Sequence, residues 1–277
     1  MAMQPITLTS GMRANLVSLQ NTNTLMETTQ KRLSSGKKVN SALDDPVAYF
    51  TALAHEQRAT DLAGRKDEMA EAVQLVKAAN TGIESINTLI AAAKSLATAA
   101  LSSDVTADVT SLKDQFNKVQ DQISLMADDS GYKGINLLKG GTSTVKFDET
   151  GATSKLTLTG FDATATGGVL NLTAATWDGP NDTARTAMTT DIGKLDTAVT
   201  ALRTKSSTLS NNLSIITARQ EFTQGLINVL KDGAAGLTNA DMNEEGANML
   251  MLQTRQALGT TSLSLASQAA QAVLRLF

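Results

Sequence analysis

The sequence predicts a mainly α protein: a long antiparallel helical coiled-coil rod with a small central β-hairpin region. Three observations carry that expectation. Apolar residues recur in alternating steps of three and four over most of the chain, the heptad pattern of helices packed side by side. The 277 residues are 42% hydrophobic but only 3% aromatic, so the core is thin and made of Ala, Leu, Val, Ile and Met. Such cores suit paired helices better than a thick globule. A Thr- and Gly-rich stretch near the midpoint alternates with period two, and helical patterns approach it from both sides in mirror order.

The first helix follows the steps Met12, Leu16, Leu19, Asn23, Met26, Gln30 and Leu33. Asn23 and Gln30 are polar seam positions, which cost stability and fix register and partner number. Gly36 breaks the pattern, and the basic pair Lys37 and Lys38 follows. Of the paired acids Asp44 and Asp45, the second is a good N-cap, with Pro46 at the first helical position. A long helix is expected from about Pro46 to about Leu101, with Met69, Val73, Val76, Ala79, Ile83, Ile86, Ile90, Ala93 and Ala97 as its buried stripe. At ~1.5 Å per residue it would be roughly 80 Å long. "SSDVTAD" reads as a turn, after which Leu112, Phe116, Val119, Ile123 and Met126 mark a shorter helix.

The glycines of "GYKGINLLKGG" lead out of that helix. "STVKFDE", "SKLTLTG" and "GVLNLTAATW" then predict two to four strands with at least one hairpin. Helix resumes after "DGPNDT", from Met188 through Leu195, Leu202, Leu209 and Ile216 to Leu230. Gly233 and Gly236 are expected to stop it, and Thr238 with Asp241 resembles a capping box. The last helix carries Met242, Met249, Leu252, Gln256, Gly259, Leu263, Ala266, Ala270, Val273 and Phe277. Paired as a hairpin, the two long helices would lie together and the two terminal helices would meet.

Composition excludes several chemistries. There is no Cys, which removes disulfides, thiolate metal ligands and thiol nucleophiles. The formal net charge of −3 provides no basic footprint for nucleic acid and no polybasic membrane patch. No stretch approaches the ~20 apolar residues of a membrane span. "MAMQPITLTSGMRANL" has no basic region followed by an apolar run, so no secretory signal peptide is expected there, and export would use another route. The single His55 stands in "AHEQRA", where Ala59 occupies the place of the second zinc ligand of an HExxH site. "GGTST" and "GYKG" lack the Lys-Ser/Thr of a P-loop. Asp128 and Asp129 read as turn residues, and "MNEEGANMLMLQ" as core packing of a helix. No enzyme, metal or cofactor is expected.

Three ordered motifs carry a resemblance. "LSSGKKVNSALDDPVAYFTA" at 33–52 looks like the N-terminal signature of bacterial flagellin. "GYKGINLL" at 131–138 resembles the flagellin motif after its second N-terminal helix. The stretch 238–277, "TNADMNEEGANMLMLQTRQALGTTSLSLASQAAQAVLRLF", is similar to the flagellin C-terminus almost throughout. The resemblance implies a structural subunit that polymerises into the flagellar filament, of a minimal type with a short central segment. The terminal helices, 1–33 and 239–277, would form the inner filament core. Segments 34–45 and 233–238 would connect them as a spoke, with Gly36, Asp44, Asp45 and Pro46 at its turns. Segments 46–141 and 183–232 would be the helical rod domain, and 142–182 a short outward-facing β segment. It also implies flagellar type III export and, as partners, a cap protein, hook-associated proteins and a secretion chaperone. "DDPVA" is shared with the hook–filament junction protein, which stands as the alternative; a non-flagellar coiled-coil scaffold or adhesin is a third reading. Flagellins that activate the vertebrate Toll-like flagellin receptor carry a charged patch with an Arg on the first rod helix. Alignment of 86–100 to that patch places Ala92 at the Arg, Ser95 at an acidic neighbour and Lys94 between them, which implies weak activation.

Physics points the same way. Isolated heptad helices are marginal in water, and head-to-tail contacts that do not close into a ring produce an open helical polymer. The expected self-assembly surface is Met12, Leu16, Leu19, Met26 and Leu33 on the first helix. On the last helix it is Met249, Leu252, Leu263, Ala266, Ala270, Val273, Leu274 and Phe277.

Overall fold

The computed structural model describes residues 10–149 and 153–274, with the side chains of 273 and 274 outside the description. Helices α1 (Ser10–Ser35), α2 (Pro46–Ser102), α3 (Thr106–Asp129), α4 (Asp182–Thr238) and α5 (Met242–Leu274) enclose in sequence one hairpin, β1 (Thr142–Lys146) with β2 (Lys155–Thr159). The chain forms two compact units: residues up to Gln57 together with those from Val229 onward, and Arg58 to Asn228.

In the larger unit the core lies among α2, α3 and α4. The expected α2 stripe is buried from Met69 to Ala97, with Val73 half-buried at its edge. Phe116 and Ile123 of α3 meet it, flanked by Leu112, Val119 and Met126. Met188, Leu195, Leu202, Leu209 and Ile216 of α4 complete the layer. Each large apolar side chain so buried contributes roughly 1.5–3 kcal/mol before ordering costs. The alanines on α2 add little area but let the helices approach closely.

The motif at 131–138 closes this core from the end of α3. Leu137 and Leu138 are fully buried. They are delivered there by a tight turn in which Tyr132 and Ile135 exchange both backbone hydrogen bonds, at 2.8 and 3.0 Å. Its central residues, Lys133 and Gly134, have φ of 49° and 80°. Two successive positive φ values mark the type I′ geometry whose twist suits a hairpin, and Gly is the residue that adopts it most readily.

Of the two to four strands expected, two form among the described residues. β1 and β2 pair antiparallel with Val145 opposite Leu156 and Thr144 opposite Thr157. The third alternating stretch, 168–177, is not a strand. Leu170 and Leu172 are buried alternately, and so are Ala175 and Trp177, but the phase slips by one residue between the two pairs. Backbone groups of this stretch are satisfied without a ladder: Leu172 N–H donates to Ala165 O at 2.7 Å, Ala175 N–H to Asn117 Oδ1 at 2.8 Å, and Gln120 Nε2 donates to Thr173 O at 3.2 Å. It is a strap laid over α3 and α4, pinned at its end by Trp177, which packs on Phe116 and donates Nε1–H to Asp191 Oδ2 at 3.0 Å.

α4 also runs further than the sequence predicts. Gly233 and Gly236 do not end it; the helix reaches Thr238. Each glycine costs about 1 kcal/mol relative to Ala in a helix interior. Burial of Leu230 and Ala234 on the same stretch opposes that cost. Thr238 closes α4, its hydroxyl donating to Ala234 O at 2.9 Å, so it is not the cap of α5. That role falls to Asp241, whose Oδ1 accepts from Asn243 N at 2.9 Å and Glu244 N at 3.3 Å.

Candidate assembly surface

In the smaller unit α1 and α5 pack along their lengths. Asn15 Nδ2 donates to Ser262 Oγ at 3.0 Å, Gln256 Nε2 to Asn23 Oδ1 at 2.9 Å and Arg32 Nη1 to Glu245 Oε1 at 2.9 Å. Leu19 lies over Gly259, which has no side chain to obstruct it. As the α1 numbers rise the α5 numbers fall, so the pair is antiparallel.

The seam of α5 reads Glu245, Met249, Leu252, Gln256, Gly259, Leu263, Ala266 and Ala270, all buried or half-buried in steps of four and three. From Met249 to Ala270 these are the positions the sequence predicts; at the start of α5 Glu245 takes the place expected of Met242, which is 48% exposed. On α1 the phase differs. Met12, Leu19, Met26 and Leu33 lie on the seam as expected, but Asn15, Thr22 and Thr29 share it in place of Leu16, Asn23 and Gln30. Thr22 can be buried because its hydroxyl donates to Ser18 O at 2.9 Å. Leu16 faces away and is 40% exposed. Most of the residues expected to meet other subunits therefore meet each other within one chain. The side chains of Val273 and Leu274, and all of Phe277, lie outside the described residues.

A second stripe on α5 has no counterpart in the expected set. Met251, Leu258 and Leu265 are spaced seven apart and are 51%, 67% and 61% exposed. Ala272 continues the row and is exposed as well. The row flanks the α1 seam by one position, so α5 carries two heptad rows, one occupied by α1 and one uncovered. The signal was present in the sequence as a run of apolar residues adjoining the first row. Leu250 on α5, and Val17 and Leu25 on α1, are also more than half exposed.

The turn that joins these helices to α2 and α4 is built from local polar contacts. Gly36, at φ 70°, ends α1 with its N–H on Arg32 O at 2.8 Å. Lys38 and Val39 donate to Thr238 O, and Ala240 donates to Gly36 O. Asp44 Oδ2 collects the backbone N–H groups of Asn40 at 3.0 Å and Ser41 at 2.9 Å. These bonds, with that of the Ser41 hydroxyl, hold the Asp44 carboxyl below its usual range. Asp45 caps α2 by accepting from Ala48 N at 3.0 Å, with Pro46 as the first helical residue. The residues aligned to the receptor patch lie on α2: Ala92 and Ser95 are exposed, and Lys94 Nζ pairs with Asp196 Oδ1 at 2.5 Å. Among the described residues no cluster of His, Asp and Glu is placed to hold a metal ion, and no helix is long and apolar enough to cross a membrane.

Comparison with known proteins agrees with the helical ends. Residues 8–143 match the bacterial flagellin N-terminal helical region, and residues 192–277 match the bacterial flagellin C-terminal helical region. Along its whole length the chain is 30% identical to flagellin FljM of Caulobacter vibrioides, covering all of both chains. It is 27% identical to a flagellin of Brucella melitensis over 95% of each chain. The crystal structure of Bacillus cereus flagellin aligns with a TM-score of 0.47 at 21% identity, over 56% of this chain and 88% of that one. Two family regions in order, at the two ends that the structure pairs, and full-length relatives lead to one conclusion: the chain belongs to the bacterial flagellin family.

Proposed function

We propose that the uncovered row of α5, Met251, Leu258 and Leu265, is where neighbouring subunits meet as this chain polymerises. As a flagellin it is a structural subunit of the flagellar filament, which serves swimming motility, and its place is the bacterial flagellum. The observation that carries the finer reading is the second heptad row. A helix that uses one row to pair within its chain and leaves another exposed has the arrangement of a bundle still lacking a member. The contact is heterologous, so it propagates instead of closing. In this reading α1 and α5 form the inner filament core, and the segment after Leu263 extends the same surface. Export by the flagellar type III route, and engagement of a cap protein, hook-associated proteins and a secretion chaperone, belong to the same proposal through the family. Full-length likeness to flagellins supports the filament subunit over the junction protein.

The test is a chain truncated after Leu263. The reading expects a cooperative helical melt by circular dichroism and no polymer in sedimentation, even with filament seeds. Normal filaments from the truncated chain would overturn it.

A further inference from the structure

The larger unit holds a pocket whose lining includes none of the residues of the proposed assembly row. It has a volume of about 260 Å³ and lies between α2, the turn at 132–135 and β1. At ~30 Å³ of liquid per molecule that is room for roughly nine waters, the scale of one hexose ring. Its floor is apolar, made by Ala72, Leu75, Ile135 and Val145. Its rim is polar and mixed in character, with Glu71, Tyr132, Lys133 and Ser143.

The rim groups are ordered and incompletely used. Tyr132 donates its hydroxyl to Glu71 Oε2 at 2.9 Å, and Lys133 Nζ meets the same oxygen at 2.9 Å. Both act on Oε2, so Oε1 retains capacity to accept. Tyr132 oxygen can still accept, and the ammonium has protons to spare. The Ser143 hydroxyl, also on the rim, can both donate and accept. The Lys133 ammonium and then the Tyr132 hydroxyl hold the Glu71 carboxyl below its usual range, which keeps it an ionised acceptor. The positive φ values of Lys133 and Gly134 aim the turn so that Tyr132 and Lys133 both reach Glu71.

We propose that this pocket is a binding site for a single pyranose ring presented by a glycan. A sugar ring has an apolar C–H face and a rim of hydroxyls that each donate and accept. An apolar floor beneath a few convergent donors and acceptors is the complementary shape. A carboxylate beside a Tyr hydroxyl accepts strongly from sugar hydroxyls, and charge-assisted bonds are the stronger kind. An extended acid would meet Glu68 and Glu71 as like charges, and a purely apolar ligand would leave the rim unpaired. One shallow site of this size binds weakly; a filament repeats it in every subunit, and repetition raises avidity without a new contact.

The test is titration of the full-length monomer with methyl pyranosides of glucose, galactose, mannose and N-acetylglucosamine, followed by amide NMR. At least one should produce saturable shifts confined to 71–75, 132–135 and 143–145, with a millimolar midpoint, while open-chain sorbitol produces none. Glu71→Gln should weaken that binding about tenfold, the size of one good charged hydrogen bond, in a chain that still melts cooperatively. Ser143→Phe, which fills the pocket from its rim, should abolish it. Absence of saturable shifts for every pyranoside overturns the proposal. Equal shifts with sorbitol, or binding unchanged in both variants, overturn it too. Loss of binding on polymerisation, with both variants polymerising poorly, assigns the pocket to a subunit contact and equally refutes it.

Discussion

Arg32 of α1 donates Nη1 to Glu245 Oε1 of α5 at 2.9 Å, and the Glu245 side chain is only 9% exposed. This one bond ties the end of the first helix to the start of the last. Removing Arg32 leaves a nearly buried carboxylate without its partner, the arrangement in which a charge costs most. Arg32 itself is 40% exposed, and solvent screens part of the effect. Arg32→Ala should weaken the α1–α5 pair by about 1–2 kcal/mol, and Arg32→Ala with Glu245→Ala by less than the sum of the single changes. Amide hydrogen exchange in the first two turns of α5 reads the difference.

The buried bond from Trp177 to Asp191 is the second polar tie, and it holds the strap. Lys194 supports it by pairing with Asp191 Oδ1 at 3.2 Å and donating to Thr173 Oγ1 at 2.9 Å. Trp177→Phe keeps a ring against Phe116 but leaves Asp191 Oδ2 without its indole donor. The larger unit should lose about 1–3 kcal/mol, the cost of an unsatisfied buried acceptor. Urea unfolding followed by circular dichroism checks this, and an unchanged midpoint would contradict it.

Two glycines should respond in opposite directions. A Cβ at Gly160 would lie 2.4 Å from Gly141 O and 2.5 Å from Leu137 O, both backbone atoms. Gly160→Ala should therefore destabilise by about 1–3 kcal/mol, because the hairpin cannot approach the 137–141 segment. Gly193 lies inside α4 with open space around it. Gly193→Ala should stabilise by about 0.5–1 kcal/mol through helix propensity. Thermal melts of the two variants should move apart from that of the parent chain.

Acid should weaken the larger unit through Glu149 and Asp162, in addition to Glu71. Glu149 is held below its ordinary 4.5 chiefly by Arg58, and Asp162 below its ordinary 3.8 by the Thr164 hydroxyl and backbone N–H. A pKa lowered by folding means that the unfolded chain binds protons first. The contribution is complete above the ordinary values and is lost as pH falls through them toward the folded ones. Melting temperature should be flat from pH 7 to pH 6 on this account and should fall below about pH 4. Asp162→Asn should flatten part of that acid limb.

Much of this was legible in the sequence. The α2 stripe is plain because Ile, Val and Met recur with no competing row. On α1 the shared residues Met12, Leu19, Met26 and Leu33 fit two seams equally. Apolarity favours the seam with Leu16, whereas the fold uses Asn15, Thr22 and Thr29. The choice rests on what α5 presents opposite, including the bare backbone of Gly259, and no pattern within α1 contains that. The strap at 168–177 alternates like a strand but is satisfied by Asn117 and Gln120, far away in sequence. The pocket joins residues 71, 132 and 143 through the fold alone, and no spacing signals it.

The most direct test of the account is a triple change on the uncovered row of α5, Met251→Ser, Leu258→Ser and Leu265→Ser. None of these side chains belongs to the α1 seam, so the helical melt and the hydrogen-exchange protection of α1 should be preserved. Seeded polymerisation, followed by sedimentation and electron microscopy, is the measurement. The account predicts a folded monomer that adds to no seed. Filaments of ordinary length and yield from the triple variant would contradict it.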